Sequence, residues 1–193
     1  MTPPAAPLLL VTVGTDHHPF DRLVRWVDGW LDGETGQAAG LRCLMQTGTS
    51  APPTGHAAQW EAYLEFDALQ AAMRDAAAVV CHGGPGTILG ARHVGAVPIV
   101  VPRRHRLGEH VDDHQLAFCR RLAADGGEIH LAETEADLHR LLDRVAAEPA
   151  AFRAAAEHRG TAAAVRAFER LVDDLVAGSP AAHGELAAEE MSR

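Results

Sequence analysis

Val79-Val80-Cys81-His82-Gly83-Gly84-Pro85-Gly86-Thr87-Ile88-Leu89 decides how the rest of this chain is read. The apolar run from Ala76 to Cys81 has the length and composition of a buried strand. It stops at His82, two glycines follow, and from Pro85 the apolar positions Ile88, Leu89 and Val94 take helical spacing. A strand, a glycine turn and a helix leave unpaired backbone N–H groups and the positive end of the helix dipole above the sheet edge. That is an anion site, and a phosphate or diphosphate is its natural ligand. Glycine lets the ligand approach the main chain. Pro85 costs no hydrogen bond in the first helical turn, and Thr87 adds a hydroxyl. The competing reading gives the glycines a packing role only.

Upstream, Leu8 to Val13 is a continuous apolar run that predicts a first buried strand. It opens into Gly14-Thr15-Asp16-His17-His18-Pro19 and then a helix with Phe20, Leu23, Val24, Val27 and Leu31 on one face, started by Asp16 or Pro19. Leu41 to Gln46 predicts the second strand, ending in Thr47-Gly48-Thr49-Ser50. Tyr63 to Phe66 reads as a short third strand, with Asp67 capping the helix after it. Downstream, Val97 to Val101 is a strand with Pro98 at its start, and Pro102 to Val111 is a polar loop holding Arg103, Arg104, Arg106, Glu109 and His110. A helix opens at Asp112-Asp113-His114-Gln115. Glu128 to Leu131 is the last strand, and Thr134 with Asp137 forms a capping-box start for the next helix. A further helix runs through Val165, Phe168, Leu171 and Leu175. Strands alternating with helices predict an α/β fold, a Rossmann-like, doubly wound and mostly parallel sheet. Residues 1–7 read as a leader, 8–178 as one domain and 179–193 as a flexible tail.

The 193 residues suit one such domain, and a net charge of -9 without a basic run argues against nucleic acid as a partner. No segment has the apolar length of a spanning helix or the features of a signal peptide, which predicts a cytoplasmic protein. All 17 Lys+Arg positions are arginine, so a P-loop lysine and a Schiff-base lysine are excluded. The only serines are Ser50, Ser179 and Ser192, outside any nucleophile elbow. Cys43 and Cys81 sit in apolar runs as small hydrophobes. In a doubly wound sheet, ligands bind beyond the strand carboxyl ends, and there the polar, glycine-bearing loops converge.

Val11-Thr12-Val13-Gly14-Thr15 with Pro19-Phe20-Asp21-Arg22-Leu23, then His82-Gly83-Gly84 with Gly86 and Thr87, then Gly95, Pro98 and Asp113-His114-Gln115, together resemble the small family-28 glycosyltransferase subunits. These are the catalytic subunits of two-part N-acetylglucosaminyltransferases and exopolysaccharide glycosyltransferases. The likeness covers roughly residues 8 to 145. It implies a single GT-B half-domain that binds a UDP-sugar as donor substrate, with no metal and no other cofactor. Under that resemblance Gly14 and Thr15 face the diphosphate or the acceptor side. His82, Gly83, Gly84, Pro85, Gly86 and Thr87 hold the phosphates, and Gln46, Thr47 and Gly48 lie near the nucleotide. Asp113, His114 and Gln115 reach the sugar hydroxyls, and Glu109 joins the donor-binding set. His82 and His18 are the catalytic candidates. Gly90 departs from the pattern, since relatives carry there a carboxylate for the ribose hydroxyls.

Each assignment has a plainer alternative. His82 could be a strand-end histidine bonded to a carbonyl, Asp113 to Gln115 a helix cap, and His17 with His18 a solvated pair. Arg103, Arg104 and Arg106 could clamp phosphate or line the surface. His110 and His114, four apart, have a zinc-like spacing but no evident third ligand. Since a complete GT-B enzyme has two such halves, the resemblance implies a membrane-associated acceptor-binding partner, or a homodimer, at the inner face of the membrane. The rivals are a non-catalytic nucleotide-sugar-binding regulatory subunit and a different α/β enzyme. Against a dehydrogenase stand the lack of GxGxxG after the first strand and of an acidic residue ending the second.

Overall fold

The computed structural model describes residues 6–154 except 56 and 128. The helix expected through Val165 to Leu175, the 178/179 boundary, the tail and most of the leader lie outside them. At the edge of the leader, the Pro7 carbonyl accepts the Arg42 N–H at 3.0 Å.

Six strands form one sheet: β1 (Leu8–Thr12), β2 (Arg42–Gln46), β3 (Ala58–Glu61), β4 (Ala76–His82), β5 (Ile99–Val101) and β6 (His130–Leu131). All adjacent pairs are parallel, in the order β3-β2-β1-β4-β5-β6. The chain winds outward in both directions from the β1/β4 seam, which makes that seam the topological switch point. Among the described residues the α-helices are α1 (Asp21–Asp32), α2 (Glu34–Ala38), α3 (Phe66–Asp75), α4 (Pro85–His93), α5 (His114–Ala124) and α6 (Glu135–Ala147).

Strand periodicity sorts the core into two layers. Leu9 and Val11 of β1, with Ala78 and Val80 of β4, pack against Val24 and Val27 of α1 and Leu138 and Leu142 of α6. Leu8, Leu10 and Val79 face the other way, onto Met73 of α3 and Ala91 of α4. Leu8 pairs with Ala76 but Leu9 with Ala78, so Ala77 is an extra residue that resets the alternation of β4. The Trp30 indole donates to Asp143 at 2.8 Å and ties α1 to α6. Thr134 and Asp137 form the expected capping box at α6.

Three expectations need correction. The third strand is Ala58–Glu61, not Tyr63 to Phe66. Tyr63 and Phe66 are exposed, and Phe66 already opens α3, so Asp67 lies inside the helix with Glu65 at the cap position. Helix α1 starts at Asp21 with Phe20 at its cap position, because Asp16 is engaged with His18 instead. Helix α5 starts at His114 with Asp113 at its cap position, inside the stretch expected to open it. Among the described residues no helix is long and apolar enough to cross a membrane.

Candidate functional site

At the carboxyl ends of β1 and β4 the sheet opens into a cleft of about 330 Å³. Thr12, Gly14, Thr15 and Asp16 form the wall from the β1 side, and His82 and Thr87 the wall from the β4–α4 turn. Gln46, Leu69 and Gln115 close its sides.

The turn itself is built around His82. A Cβ on Gly14 or on Gly84 would overlap the His82 imidazole, so both glycines are packing requirements of that ring. Gly14 also has φ +83°, a conformation that favours glycine. A Cβ on Gly83 would come within 2.8 Å of the Cys119 sulfur, where α5 presses on the turn. Gly86 differs: nothing lies within 4 Å of the position its Cβ would take. The packing and ligand readings of the motif therefore apply to different glycines. Pro85 occupies the first turn of α4 and no side chain caps that terminus. The Thr87 N–H bonds the Gly84 carbonyl at 3.1 Å, while the Gly86 N–H and the dipole end stay available to an anion.

His82 is nearly buried, and its Nδ1 lacks a hydrogen-bond partner among the described residues. Burial, reinforced by the Arg103 charge, pushes its pKa down to about 4, against the opposing pull of the Thr12 backbone and of Asp16. The ring is therefore neutral near pH 7 and offers one N–H, not a charge.

On the β1 side, Thr12 Oγ1 accepts the Gly14 N–H at 3.2 Å and a Gln46 Nε2–H at 3.1 Å. The Gln46 side-chain oxygen accepts the Leu64 N–H at 3.1 Å. Gln46 thus lines the cleft while bracing two loops. Asp16 accepts the His18 N–H at 2.7 Å and meets His18 Nδ1 at 2.6 Å. Burial would raise the Asp16 pKa, but these bonds and the Arg103 charge outweigh it and hold it at about 2. His18, an expected catalytic residue, does not line the cleft; one of its ring nitrogens is held by Asp16, which does.

The arginine segment behaves otherwise. Arg103 is fully buried and donates to three carbonyls: His18 at 2.7 Å, Glu109 at 2.8 Å and Val13 at 2.8 Å. Its guanidinium also lies 4.8 Å over the Phe20 ring. It bolts the β1 loop to the β5 loop. Glu109 is buried on a bidentate pair with Arg22, at 2.8 Å for each bond, and accepts the Arg104 N–H at 2.9 Å. Arg104 donates to the Glu133 carbonyl at 2.7 Å, and Arg106 is exposed.

Of the expected site residues, the structure brings Gly14, Thr15, Gln46, His82, Thr87 and Gln115 to one cleft. Gly83, Gly84, Pro85 and Gly86 form the turn beside it. Thr47 and Gly48 are drawn away, their N–H groups donating to the Glu61 and Ala62 carbonyls at 2.9 and 2.8 Å. Glu109 is consumed by Arg22. Asp113 accepts the His105 N–H at 2.9 Å, and His114 turns to Asp112, so neither lines the cleft. Gly90, which stands where the resembled family carries its ribose carboxylate, faces α3, with its Cβ position 3.3 Å from Gln70 Nε2. Sequence reasoning missed Thr12, Asp16 and Leu69 as cleft residues; a hydroxyl on the last residue of a strand before a glycine was the available signal for Thr12.

The fold is shared with solved structures. CalG4, the calicheamicin glycosyltransferase, superposes with a TM-score of 0.59 at 18% identity, over 93% of this chain and 44% of that one. MurG from Acinetobacter baumannii gives 0.53 at 21% identity, over 86% and 50%. Both show the fold, a GT-B half. A 115-residue stretch is 37% identical to the UDP-N-acetylglucosamine--N-acetylmuramyl-(pentapeptide) pyrophosphoryl-undecaprenol N-acetylglucosamine transferase of Azoarcus sp. (strain BH72), covering 54% of this chain and 31% of that protein. The chain thus spans about a third of the curated relative and half or less of these solved structures. The description "Glycosyltransferase family 28 C-terminal domain" matches residues 8–174. The chain belongs to glycosyltransferase family 28 through this C-terminal domain.

Proposed function

We propose that this domain binds a UDP-sugar in the β1/β4 cleft. It transfers the hexosyl or N-acetylhexosaminyl group to a lipid-linked or glycan acceptor, without a metal. The observation that carries the reading is the uncapped α4 terminus beside a buried, neutral His82 at the switch point. Bond cleavage leaves charge on the diphosphate. The α4 N–H groups, a His82 N–H and the Thr87 hydroxyl are preorganised donors for it. The acceptor hydroxyl attacks the anomeric carbon as the bond to the diphosphate breaks, and UDP leaves. His18, oriented by Asp16 through Nδ1, takes the acceptor proton on its other ring nitrogen. Gln115, whose side-chain oxygen is buried and unpartnered among the described residues, is the group placed to accept a bond from the donor.

The acceptor wall comes from outside these residues. We assign it to a membrane-associated partner at the inner face of the membrane, or to a second copy of the chain, because transfer needs both substrates oriented in one closed cleft. The test is a transfer assay with UDP-sugars and lipid-linked or small acceptors, with and without candidate partners and with chelator. Turnover that requires a partner and survives chelator is expected. UDP binding with no transfer under any pairing would leave a regulatory nucleotide-sugar-binding subunit in its place.

A further inference from the structure

We propose that His110, Asp112 and His114 form a binding site for a zinc-class divalent cation at the rim of the cleft. One ligand atom from each of these residues lies within 4.8 Å of the others. His110 Nδ1 is 3.6 Å from Asp112 Oδ1, and His114 Nδ1 contacts the same carboxylate. Two imidazoles and a carboxylate match a borderline ion, not magnesium or calcium, and three protein ligands leave a fourth position for water. The third ligand is Asp112, two residues from each histidine.

Two further observations point to a ligand. His110 Nδ1 is buried yet has no hydrogen-bond partner among the described residues. A buried ring nitrogen aimed at a carboxylate across 3.6 Å is too far for a hydrogen bond and suits a shared ion. The other nitrogen, Nε2, lies 3.5 Å from Asp16 Oδ2. At that distance the carboxylate does not hydrogen-bond the ring, but it faces the nitrogen on which a metal-bound imidazole takes its orienting partner.

The backbone that carries the ligands is already held. Arg103 binds the Glu109 carbonyl, the His105 ring meets the His110 carbonyl at 3.1 Å, and Asp113 holds the His105 N–H. The second cluster, Asp16 with His17 and His18, is a weaker candidate: its carboxylate, like Asp112, is engaged by a histidine N–H and ring, but among the described residues it holds no buried ring nitrogen without a partner. His110 connects the ion to Asp16, a cleft residue, so a loaded site stiffens the β1 wall. The site lies outside the proposed donor contacts. It is independent of the transfer reading and is not a requirement for transfer.

Zinc chloride titrated into chelator-stripped protein, followed by calorimetry, tests this. The wild type should show a saturable event that Asp112→Asn/His114→Ala lacks or shows at least about tenfold more weakly. Asp16→Asn should weaken it by about tenfold or more, while His93→Ala, an exposed histidine at the far end of α4, should not change it. Asp112 and His114 are 57% and 53% exposed, so the variants should melt as the wild type does; His114→Ala alone serves if the double variant does not fold. Indistinguishable isotherms for wild type and a folded site variant would overturn the proposal.

Discussion

Two loops leave the sheet on the same side, and both look like ligand loops in sequence. The turn His82–Thr87 keeps part of its donor capacity unspent: no side chain caps α4 and Gly86 faces open space, although the Thr87 N–H bonds the Gly84 carbonyl at 3.1 Å. The segment Arg103–Glu109 spends its buried charges on the fold, with Arg103 on three carbonyls and Glu109 on Arg22, although the Nε groups of Arg103 and Arg104 find no partner among the described residues. The difference teaches that polarity does not mark a binding loop; unspent hydrogen-bonding capacity does. The richly charged segment is the frame, and the nearly charge-free turn is the site.

The sharpest way to break this contrast is at Arg103. Arg103→Met removes a buried cation and leaves three carbonyls short of donors, a loss of about 3–5 kcal/mol. Urea unfolding should show it, and a stability within about 1 kcal/mol of wild type would make Arg103 dispensable to the frame.

His82 gives the next largest effect, and it depends on pH. The unfolded imidazole takes a proton below its ordinary value of 6.5, whereas the folded one resists until about 4. Stability should therefore be fully present above pH 6.5 and fall by up to about 3 kcal/mol as the pH drops to 4. His82→Ala should flatten that stretch of the profile. A wild-type profile that is level from pH 6.5 to 4 would mean the ring is not buried neutral.

At pH 7, His82→Ala and Thr87→Val should each cost about 1.5–3 kcal/mol of UDP binding, roughly ten- to a hundredfold, in protein that remains folded. Calorimetric titration with UDP reads this directly. Unchanged affinity in both would assign the turn to packing.

Glu109→Gln sharpens the comparison from the other side. It weakens a charge-assisted pair with Arg22, so thermal unfolding should register a loss of about 1–3 kcal/mol, and UDP affinity should hold within about twofold. The reverse pattern would return Glu109 to the donor site.

The sheet could be read from sequence where its strands are buried and continuous, as at Leu8 to Val13 and Ala76 to Cys81. It could not where the strand is an edge. Ala58–Glu61 has mostly exposed residues and no apolar period, whereas the alternation Tyr63-Leu64-Glu65-Phe66 imitates a strand just before α3. The glycine turn was legible because its chemistry is local. Glu109 was not, because its partner Arg22 lies 87 positions away. Likewise Asp113 looks like a sugar ligand until His105 is seen to claim it.

Gly86→Ala is the smallest test. Nothing lies near the added methyl, and a helical alanine replaces glycine, so stability should rise by about 0.5–1 kcal/mol. UDP affinity should nonetheless fall by about threefold or more, since the methyl fills the space through which the ligand approaches the main chain. A melting temperature below wild type would show that Gly86, too, is a packing residue.

The central claim is that the donor diphosphate sits on the β4–α4 turn and not on the arginine segment. Backbone amide chemical shifts of the 15N-labelled chain, followed while UDP is added, test it most directly. The account predicts the largest shifts at Gly84, Gly86 and Thr87, with Gly14 and Thr15 following and Arg104 to Gly108 nearly still. Large shifts at Arg104, His105 and Arg106 with a silent glycine turn would contradict it.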